Sequence, residues 1–383
     1  MDISNYLKND QFYNNLYLKK KSGLKNIGAT CYINTLIQCF VSLPYFVRFI
    51  LSSSYNNRLK YEIDSDSDSD NENENKNENE NKNENENIYM ITEMRSLINS
   101  LCIQENSLIP LRFLKTLKMK FEYLNINQQN DIHEILMLIL NQMNEEIKMI
   151  NVSNYFDNNE LNKDIMGIKD NYSRIENKCY KEWYNIHNRE YSELIELFYG
   201  QSISQIVCGN CGYIHHNHEA FNVLNLELPE IENKKINIYD CINKHTSIEK
   251  LKINEWKCDK CDKKESSEKI IKYWNFPPNL IICLKRFYYS QKHNTMIKNN
   301  KFIDIPFELD LSDYALSKKS NKKYNLRSAG LHFGNSYGGH YSSIVRKNKD
   351  NFDEWYIIDD LNINLYNKKN INFNQAYILF YSI

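Results

Sequence analysis

The chain has 383 residues, 42% of them hydrophobic, and its 48 Lys and Arg against 49 Asp and Glu leave it nearly neutral. That length exceeds the size at which a single core usually stops growing, and the neutral balance argues against a protein that coats nucleic acid or an anionic membrane. Because the sequence has no run of about 18 apolar residues and no signal-peptide pattern at its start, we expect a soluble, monomeric protein of the cytoplasm or nucleus with reduced cysteines.

Residues 23–40 read GLKNIGATCYINTLIQCF, a glycine-bearing loop followed by a helix pattern. Apolar side chains recur there at the helical spacing i, i+3, i+4 and i+7, as Ile33, Leu36, Ile37 and Phe40. Thr30 is a suitable N-cap, which places Cys31 in the first turn, where free backbone N–H groups and the helix dipole lower the pKa of a thiol. Asn26 can direct an amide N–H toward the same point. Without a partner base elsewhere in the chain, Cys31 would be interpreted as a small buried side chain.

A low-complexity segment interrupts the helical half of the chain. Residues 64–87 read DSDSDSDNENENKNENENKNENEN, have no apolar residue and are strongly negative, so we expect disorder there. The segment is either a neutral expansion or an acidic docking or phosphorylation segment. Residues 88–150 are predicted to be helical, whereas residues 151–190 are polar and match no pattern. The predicted apolar face within NDIHEILMLILNQMNEEI consists of Ile132, Ile135, Leu136, Ile139 and Leu140.

After Leu194 the sequence changes to short runs of β type. These runs are SISQIVC, FNVLNLEL, NLIICLKRFYY, YSSIVR, EWYIID and AYILFYSI. Helices followed by strands predict an α+β fold. The last run has the pattern of a buried strand, which predicts that the C-terminus is tied into a sheet.

Two C-x-x-C pairs lie among these runs. Cys208 and Cys211 form CGNCG, Cys258 and Cys261 form CDKC, and four thiolates suffice for a closed tetrahedral zinc site. The 46 residues between the pairs exceed the usual ribbon spacing, and a reducing compartment disfavours disulfides. We predict a structural Zn²⁺ that takes no part in chemistry. The cysteines without a partner pattern, expected to be buried, are Cys39, Cys102, Cys179, Cys241 and Cys283.

A candidate base for Cys31 lies in GNSYGGHYSSIV, where His340 follows two glycines at the start of a strand. A hairpin centred between residues 349 and 350 would place His340 directly opposite Asp359, on the same sheet face with Cβ atoms about 5 Å apart. The carboxylate would orient one imidazole nitrogen and leave the other to take a proton from Cys31, as in a papain-type triad. Asn26 would then stabilise the oxyanion.

Together these motifs resemble those of the ubiquitin-specific proteases, a large family of cysteine-protease deubiquitinases. Residues 23–38 match the family's GLxNxGxTCYxNxxxQ box, and residues 338–360 match its GGHY box with the following W-Y-x-x-D-D segment. Between them, QNDIHEIL (129–136), LFYGQSISQIVCGNCG and LKRFYY (284–289) follow in family order. The resemblance covers roughly residues 20–383.

The resemblance implies a hand-like fold of thumb, fingers and palm in a single catalytic domain over residues 21–383, after an N-terminal extension at 1–20. The helical thumb would span about 21–190, the fingers about 195–275 with zinc at their tip, and the palm about 276–383.

The resemblance also implies roles for single residues. Cys31 would be the nucleophile, His340 the base and Asp359 the group that orients it, with Asn26 at the oxyanion. Asp360 would assist with the oxyanion or a water, or merely end a strand.

Four residues would line the approach of the ubiquitin tail. They are Gln129, Asp131, Glu134 and Tyr341, of which the acidic pair suits the arginines of that tail. A solvated helix face is the alternative for the first three, and Phe287 is either core or contact.

The predicted activity is thiol-dependent hydrolysis of the isopeptide or peptide bond at the C-terminal glycine of ubiquitin, with ubiquitin and its conjugates as partners and zinc as the only cofactor. Two alternatives are an inactive ubiquitin-binding scaffold and a protease for another ubiquitin-like modifier. A zinc-ribbon nucleic-acid binder is disfavoured by the mixed charge around the cysteine pairs.

Overall fold

The computed structural model describes residues 22–52, 54–59, 88–104, 106–149, 151–152, 155–164, 168–230, 235–349 and 352–383. The segment at 64–87 and the extension predicted at 1–20 lie outside the described residues. Among those described, helices come first and strands dominate after Phe198, which confirms the α+β prediction.

The helices include the two predicted from periodicity. They are α1 Cys31–Val41, α2 Pro44–Ser52, α3 Met90–Ile103, α4 Leu111–Lys120, α5 Ile132–Ile147, α6 Asn158–Asn162, α7 Asn171–His187, α8 Glu193–Phe198 and α9 Ile238–His245. Helix α1 is buried on all sides, and the predicted apolar face of α5 is buried too. Within the described residues no single helix is long and apolar enough to cross a membrane, and α1 with α2, bent by 90°, meets that criterion only as a pair.

Helix α7 lies in the stretch where the sequence showed no pattern. Asp170 caps it by accepting the backbone N–H of Ser173 at 2.7 Å. The residues of its buried side are Tyr172, Cys179, Tyr180, Trp183, Tyr184 and His187. These residues recur at helical spacing. The sequence pattern that indicates α7 is therefore a periodic run of aromatic, Cys and His side chains rather than of aliphatic ones.

The strands form two main sheets. The strands are β1 Gly200–Cys208, β2 Ile214–Phe221, β3 Val223–Glu227, β4 Ile236–Asn237, β5 Glu249–Leu251, β6 Ser267–Asn275, β7 Asn279–Lys285, β8 Phe287–Ser290, β9 Thr295–Lys298, β10 Ile303–Asp304, β11 Glu308–Asp310, β12 Lys323–Asn335, β13 Gly338–Lys349, β14 Phe352–Asp359, β15 Asn362–Tyr366 and β16 Ala376–Ser382. One sheet has the order β2–β1–β6–β5, and the other has the order β15–β14–β13–β12–β16–β7–β3 with β11 paired to β12. Strands β4 and β10, and strands β8 and β9, form separate pairs.

The large sheet is covered on both faces, which is clearest at the C-terminal strand. Ile378 and Phe380 of β16 belong to the core shared with α1–α5 and α8, whereas Leu379 and Tyr381 belong to the core on the opposite face. Successive side chains of a strand point to opposite faces, so every residue of β16 is buried. The C-terminus is therefore tied into the sheet, as predicted.

The range of 195–275 predicted for the fingers is divided between the two sheets. Strand β3 pairs in parallel with β7 in the large sheet, from Val223 opposite Ile281 to Glu227 opposite Lys285. The chain therefore leaves the four-stranded sheet after β2, contributes β3, β4 and α9 to the other core, and returns as β5 and β6. The strand pattern indicated β3 but carried no information about which sheet it would join.

Candidate active site

Cys31 is the first residue of α1, where the loop at 22–30 enters the helix. Thr30 occupies the N-cap position, but its Oγ1 turns back to accept the N–H of Ile27 at 3.0 Å and does not cap the helix. The backbone N–H groups of the first turn are therefore free to face the sulfur. Only 2% of Cys31 is exposed to solvent.

Burial decides the acidity of this thiol. It raises the pKa of Cys31 above the ordinary value, and the negative charge of Asp360 adds to the rise. The backbone N–H groups of Tyr341, Tyr32 and Cys31 itself lower the pKa. The lowering predicted for a helix N-terminus is thus present, but desolvation of the thiolate outweighs it.

His340 and Asp359 meet across the β13–β14 hairpin, where His340 Nε2 lies 2.5 Å from Asp359 Oδ1. The predicted register was wrong by two residues, because Ser343 pairs with Ile358 and Ser342 therefore comes opposite Asp359. His340 and Ser342 point to the same face, and a diagonal neighbour remains within reach of a long side chain. The predicted contact forms despite the shift.

Helix α1, which begins with Cys31, packs against strand β13, which carries His340. Tyr341 directly follows His340, and its backbone N–H lies close enough to the sulfur of Cys31 to lower the pKa of the thiol. Since Nε2 is taken by Asp359, Nδ1 is the ring nitrogen left for the thiol. Among the described residues no hydrogen bond joins Cys31 to His340, whereas His340 and Asp359 are bonded.

Asp360 connects the palm side of the site to the loop ahead of Cys31. Its Oδ2 accepts Asn26 Nδ2 at 3.0 Å, and its Oδ1 accepts Asn34 Nδ2 at 2.7 Å. Its backbone carbonyl accepts the N–H of Leu24 at 2.9 Å. The φ of 51° lies in the left-handed region, which Asp adopts more readily than most residues. The expectation that Asp360 merely ends a strand does not account for these three hydrogen bonds.

The residues predicted at the tail approach lie together, but most are engaged within the chain. The side-chain amide of Gln129 bonds both backbone groups of Gly339, accepting its N–H at 2.5 Å and donating to its carbonyl. Asp131 accepts the N–H of His133 at the start of α5 and the hydroxyl of Tyr377 at 2.6 Å. Glu134 is exposed on the surface of α5.

Tyr341 faces inward more than predicted. Only 5% of it is exposed, and its ring centroid lies 4.7 Å from that of His332. It contributes one wall of a cavity of about 280 Å³. Phe287 both packs on His332 and lines that cavity, so it is core and candidate contact at once. The remaining lining residues are Gln129, Asn130, Asp131, Met296, His332, Asn335, Ser336, Tyr337 and Gly338.

The four paired cysteines converge at one end of the four-stranded sheet. Cys208 Sγ lies 3.8 Å from Cys261 Sγ, Cys211 Sγ lies 3.7 Å from Cys258 Sγ, and all four sulfurs lie within 4.8 Å of one another. A tetrahedral zinc with Zn–S bonds of about 2.3 Å separates its sulfurs by about 3.8 Å, so the donor set fits Zn²⁺. The five cysteines without a partner pattern are buried and form no disulfide; they are Cys39, Cys102, Cys179, Cys241 and Cys283.

Each of the two cysteine pairs lies in a backbone turn, and the two turns have the same conformation. The N–H of Gly212 donates to the carbonyl of Cys208, and the N–H of Asp262 donates to that of Cys258, both at 2.9 Å. Gly212 and Asp262 have φ values of 66° and 61°. Each turn therefore directs two sulfurs to the same side. A bound metal would join the β1–β2 turn to the segment before β6.

Residues 22–381 match the family model described as ubiquitin carboxyl-terminal hydrolase, and the chain belongs to this family. Ubiquitin carboxyl-terminal hydrolase 4 of Vanderwaltozyma polyspora is 28% identical over 380 residues, which cover 94% of this chain and 40% of that protein. Ubiquitin carboxyl-terminal hydrolase 5 of Saccharomyces cerevisiae is 28% identical over 388 residues, with 94% and 44% covered. The chain spans about two fifths of the length of these curated relatives.

Solved structures share the fold. The SAGA DUB module of Ubp8, Sgf11, Sus1 and Sgf73 bound to monoubiquitin contains a chain that matches with a TM-score of 0.68 at 21% identity, over 96% of this chain and 70% of that one. The same module bound to ubiquitin aldehyde matches with a TM-score of 0.67 at 21% identity, over 95% and 69%. The fold is that of a ubiquitin-specific protease, with a helical thumb, a four-stranded sheet as fingers and the large sheet as palm.

Proposed function

We propose that the chain is a thiol-dependent deubiquitinase that cleaves the isopeptide or peptide bond after the C-terminal glycine of ubiquitin. The observation that carries the proposal is the bond between His340 and Asp359 on strands next to the helix that begins with Cys31. His340 Nε2 lies 2.5 Å from Asp359 Oδ1, and the backbone N–H of the residue after His340 lies close enough to the sulfur of Cys31 to lower the pKa of the thiol. Membership of the ubiquitin carboxyl-terminal hydrolase family supports the substrate class.

In this proposal His340 moves the protons. Its Nδ1 takes the thiol proton of Cys31 while Nε2–H donates to Asp359, which fixes the tautomer and stabilises the imidazolium. The thiolate attacks the glycine carbonyl carbon, and the C=O electron pair moves onto oxygen. His340 then protonates the leaving lysine nitrogen as the C–N bond breaks and a thioester remains. Water, deprotonated by His340, displaces the sulfur and releases the glycine carboxylate.

Asn26 is the proposed side-chain donor to the oxyanion. Its amide has two N–H bonds, of which Asp360 accepts one, so the second is available for the reacting oxygen. Its Oδ1 accepts the N–H of Thr30 at 2.9 Å, which fixes the orientation of the amide group. A donor held in place before reaction stabilises developing charge without reorganisation cost.

The ubiquitin tail is proposed to enter through the cavity of about 280 Å³ next to His340. Gln129 and Asp131 line it, and Glu134 stands exposed nearby on α5. The carboxylates of Asp131 and Glu134 suit basic side chains of the tail and favour its correct orientation. The backbone of Gly339, now bonded to Gln129, is a candidate partner for an extended tail.

Zinc has a supporting part only. Cys208, Cys211, Cys258 and Cys261 would hold a structural Zn²⁺ that joins the two turns at the tip of the fingers and supplies folding free energy there. A monomeric state and a cytoplasmic or nuclear location remain predictions.

The test is intact mass after mixing the protein with ubiquitin that carries a C-terminal electrophile. We expect a mass increase of one ubiquitin that is lost in Cys31→Ala and retained in Cys102→Ala, which removes another buried thiol. If the folded, zinc-loaded wild type forms no adduct, the proposal is contradicted. Adducts with an electrophilic ubiquitin-like protein would then indicate another modifier, and ubiquitin binding without any adduct would indicate a scaffold.

A further inference from the structure

Lys298, the last residue of β9, is a buried lysine whose acceptors are all uncharged. It is 7% exposed. Its Nζ donates to the carbonyl of His332 at 2.5 Å, to Gln375 Oε1 at 2.8 Å and to the carbonyl of Gly334 at 3.5 Å. Burial, to which the charge of Arg286 adds, lowers the pKa of Lys298 to about 8. Burial disfavours the charged form of a lysine, so we expect a structural role for the hydrogen bonds of Lys298.

The acceptors of Lys298 lie where the palm sheet loses a strand. Strand β12 pairs with β16 as far as Ala376, and the N–H of His332 still donates to the carbonyl of Gln375 at 2.8 Å. Beyond this point β16 no longer covers that edge of β12. The carbonyls of His332 and Gly334, two residues apart, point to the same edge. Lys298 binds both and takes the place of the missing strand.

The opposite edge of this extension of β12 supports the proposed base. Phe333, between the two carbonyls that Lys298 binds, is paired with His340 in the β12–β13 register, and Gly334 is paired with Gly339. Without Lys298, β12 would continue past its neighbour as a two-stranded ribbon with β13. Isolated two-stranded ribbons are only marginally stable.

We propose that Lys298 is a positioning residue for His340, fixing the segment of β12 to which the backbone of His340 is paired. The side chain acts from the far edge of the strand and touches neither the thiol nor the imidazole. The kinetic consequence rests on the proposed function, whereas the effect on the position of His340 does not.

A matched control lies in the same cavity. Lys298 and Lys285 both line a cavity of about 820 Å³. Lys285 is half-exposed and pairs with Glu227 at 3.6 Å. Lys285→Met therefore removes a lysine from the same cavity without changing a contact to β12, and Lys298→Met removes the donors that bind β12.

The first experiment measures kcat and KM on ubiquitin with a C-terminal fluorogenic amide. For Lys298→Met we expect kcat to fall on the order of ten- to a hundredfold, since a small displacement of a reacting group costs that much, with KM changed less than about twofold. Lys285→Met should keep the wild-type kcat. An unchanged kcat overturns the proposal, because Lys298 would then not influence the position of His340. A rise in KM alone also overturns it, because Lys298 would then act on substrate binding.

The second experiment does not depend on turnover. In protein with ¹⁵N-labelled histidine, the Nε2–H signal of His340, assigned by its loss in His340→Ala, should be sharp in the wild type and broadened or shifted in Lys298→Met. Lys298→Arg, which keeps a cationic donor, should restore it. If Lys298→Met fails to fold, Lys298→Gln replaces it. An unchanged signal in a folded variant overturns the inference, while an inactive wild type with a responsive signal contradicts only the proposed function.

Discussion

Asp360→Asn separates two opposing effects of one carboxylate near Cys31. The substitution keeps the volume, and Asn tolerates the left-handed φ of 51° as well as Asp does. It removes the negative charge that raises the pKa of Cys31. It also removes one of the two acceptors that hold the amides of Asn26 and Asn34. The first change makes the thiol more acidic, and the second releases the proposed oxyanion donor.

The magnitudes decide the net result. Loss of one oxyanion donor costs on the order of 10²–10³ in kcat, roughly 3–4 kcal/mol, and this sets the upper limit for releasing Asn26. The charge of Asp360 raises the pKa of Cys31 less than burial does, and less than the N–H of Tyr341 lowers it. We therefore expect kcat to fall by roughly tenfold to a hundredfold while the thiol becomes more reactive.

Two assays measure these effects separately. Turnover of a ubiquitin fluorogenic amide gives kcat, and the rate of alkylation of Cys31 by iodoacetamide reports the thiolate fraction. The first should fall and the second should rise. In the double variant with Asn26→Ala, Asp360→Asn should cause no further loss of kcat, because coupled residues are not additive. Parallel falls in both rates, or losses that multiply in the double variant, would refute the reasoning.

Three further substitutions test other parts of the structure. Cys258→Ser should reduce bound zinc below one ion per chain and lower the melting temperature, as seen by metal analysis and calorimetry; a full zinc content contradicts the four-cysteine site. Burial lowers the pKa of His187 to about 4. The unfolded chain therefore binds a proton between pH 6.5 and 4 that the folded chain does not, and stability falls as the pH drops, by about 2 kcal/mol at pH 5. His187→Phe should remove this share of acid sensitivity in urea melts at pH 7 and pH 5, and an unchanged difference refutes the assignment. In Gly23→Ala the added Cβ would lie 2.7 Å from the carbonyl oxygen of Asp360, so the loop must shift. We expect a loss of about 1–3 kcal/mol in stability together with a lower kcat, and unaltered values of both would contradict the close packing.

The sequence predicted what depends on local pattern. The apolar stripes of α1 and α5 and the buried last strand follow from periodicities of 3.6 and 2, and all are found. The position of Cys31 at a helix start follows from the loop chemistry ahead of it. Each cysteine pair lies in its own tight turn, which the spacing C-x-x-C already indicates, and the pairing of β1 with β6 brings the two turns together.

What the sequence did not determine depends on partners that are distant along the chain. Strand β3 joins a sheet whose neighbouring strand, β7, lies more than 50 residues later, and nothing in its own pattern selects that partner. The β13–β14 register was misplaced because the hairpin loop does not determine it. The acidity of Cys31 was misjudged because burial comes from the tertiary packing of α1, which the local sequence does not specify. Lys298 was overlooked because its acceptors lie at 332, 334 and 375.

The bonds that Asp360 makes also determine how the cleft can open. Leu24, Asn26 and Asn34 are all bonded to Asp360, so thumb and palm are joined by a seam next to the nucleophile. The link between Gln129 and Gly339 is made by an exposed side chain, and its hydrogen bonds exchange readily with water or a substrate backbone. In the proposed function, an opening that keeps the bonds of Asp360 would release Gly339 from Gln129 and leave the loop carrying Asn26 in place, so that the ubiquitin tail could enter without displacing the proposed oxyanion donor.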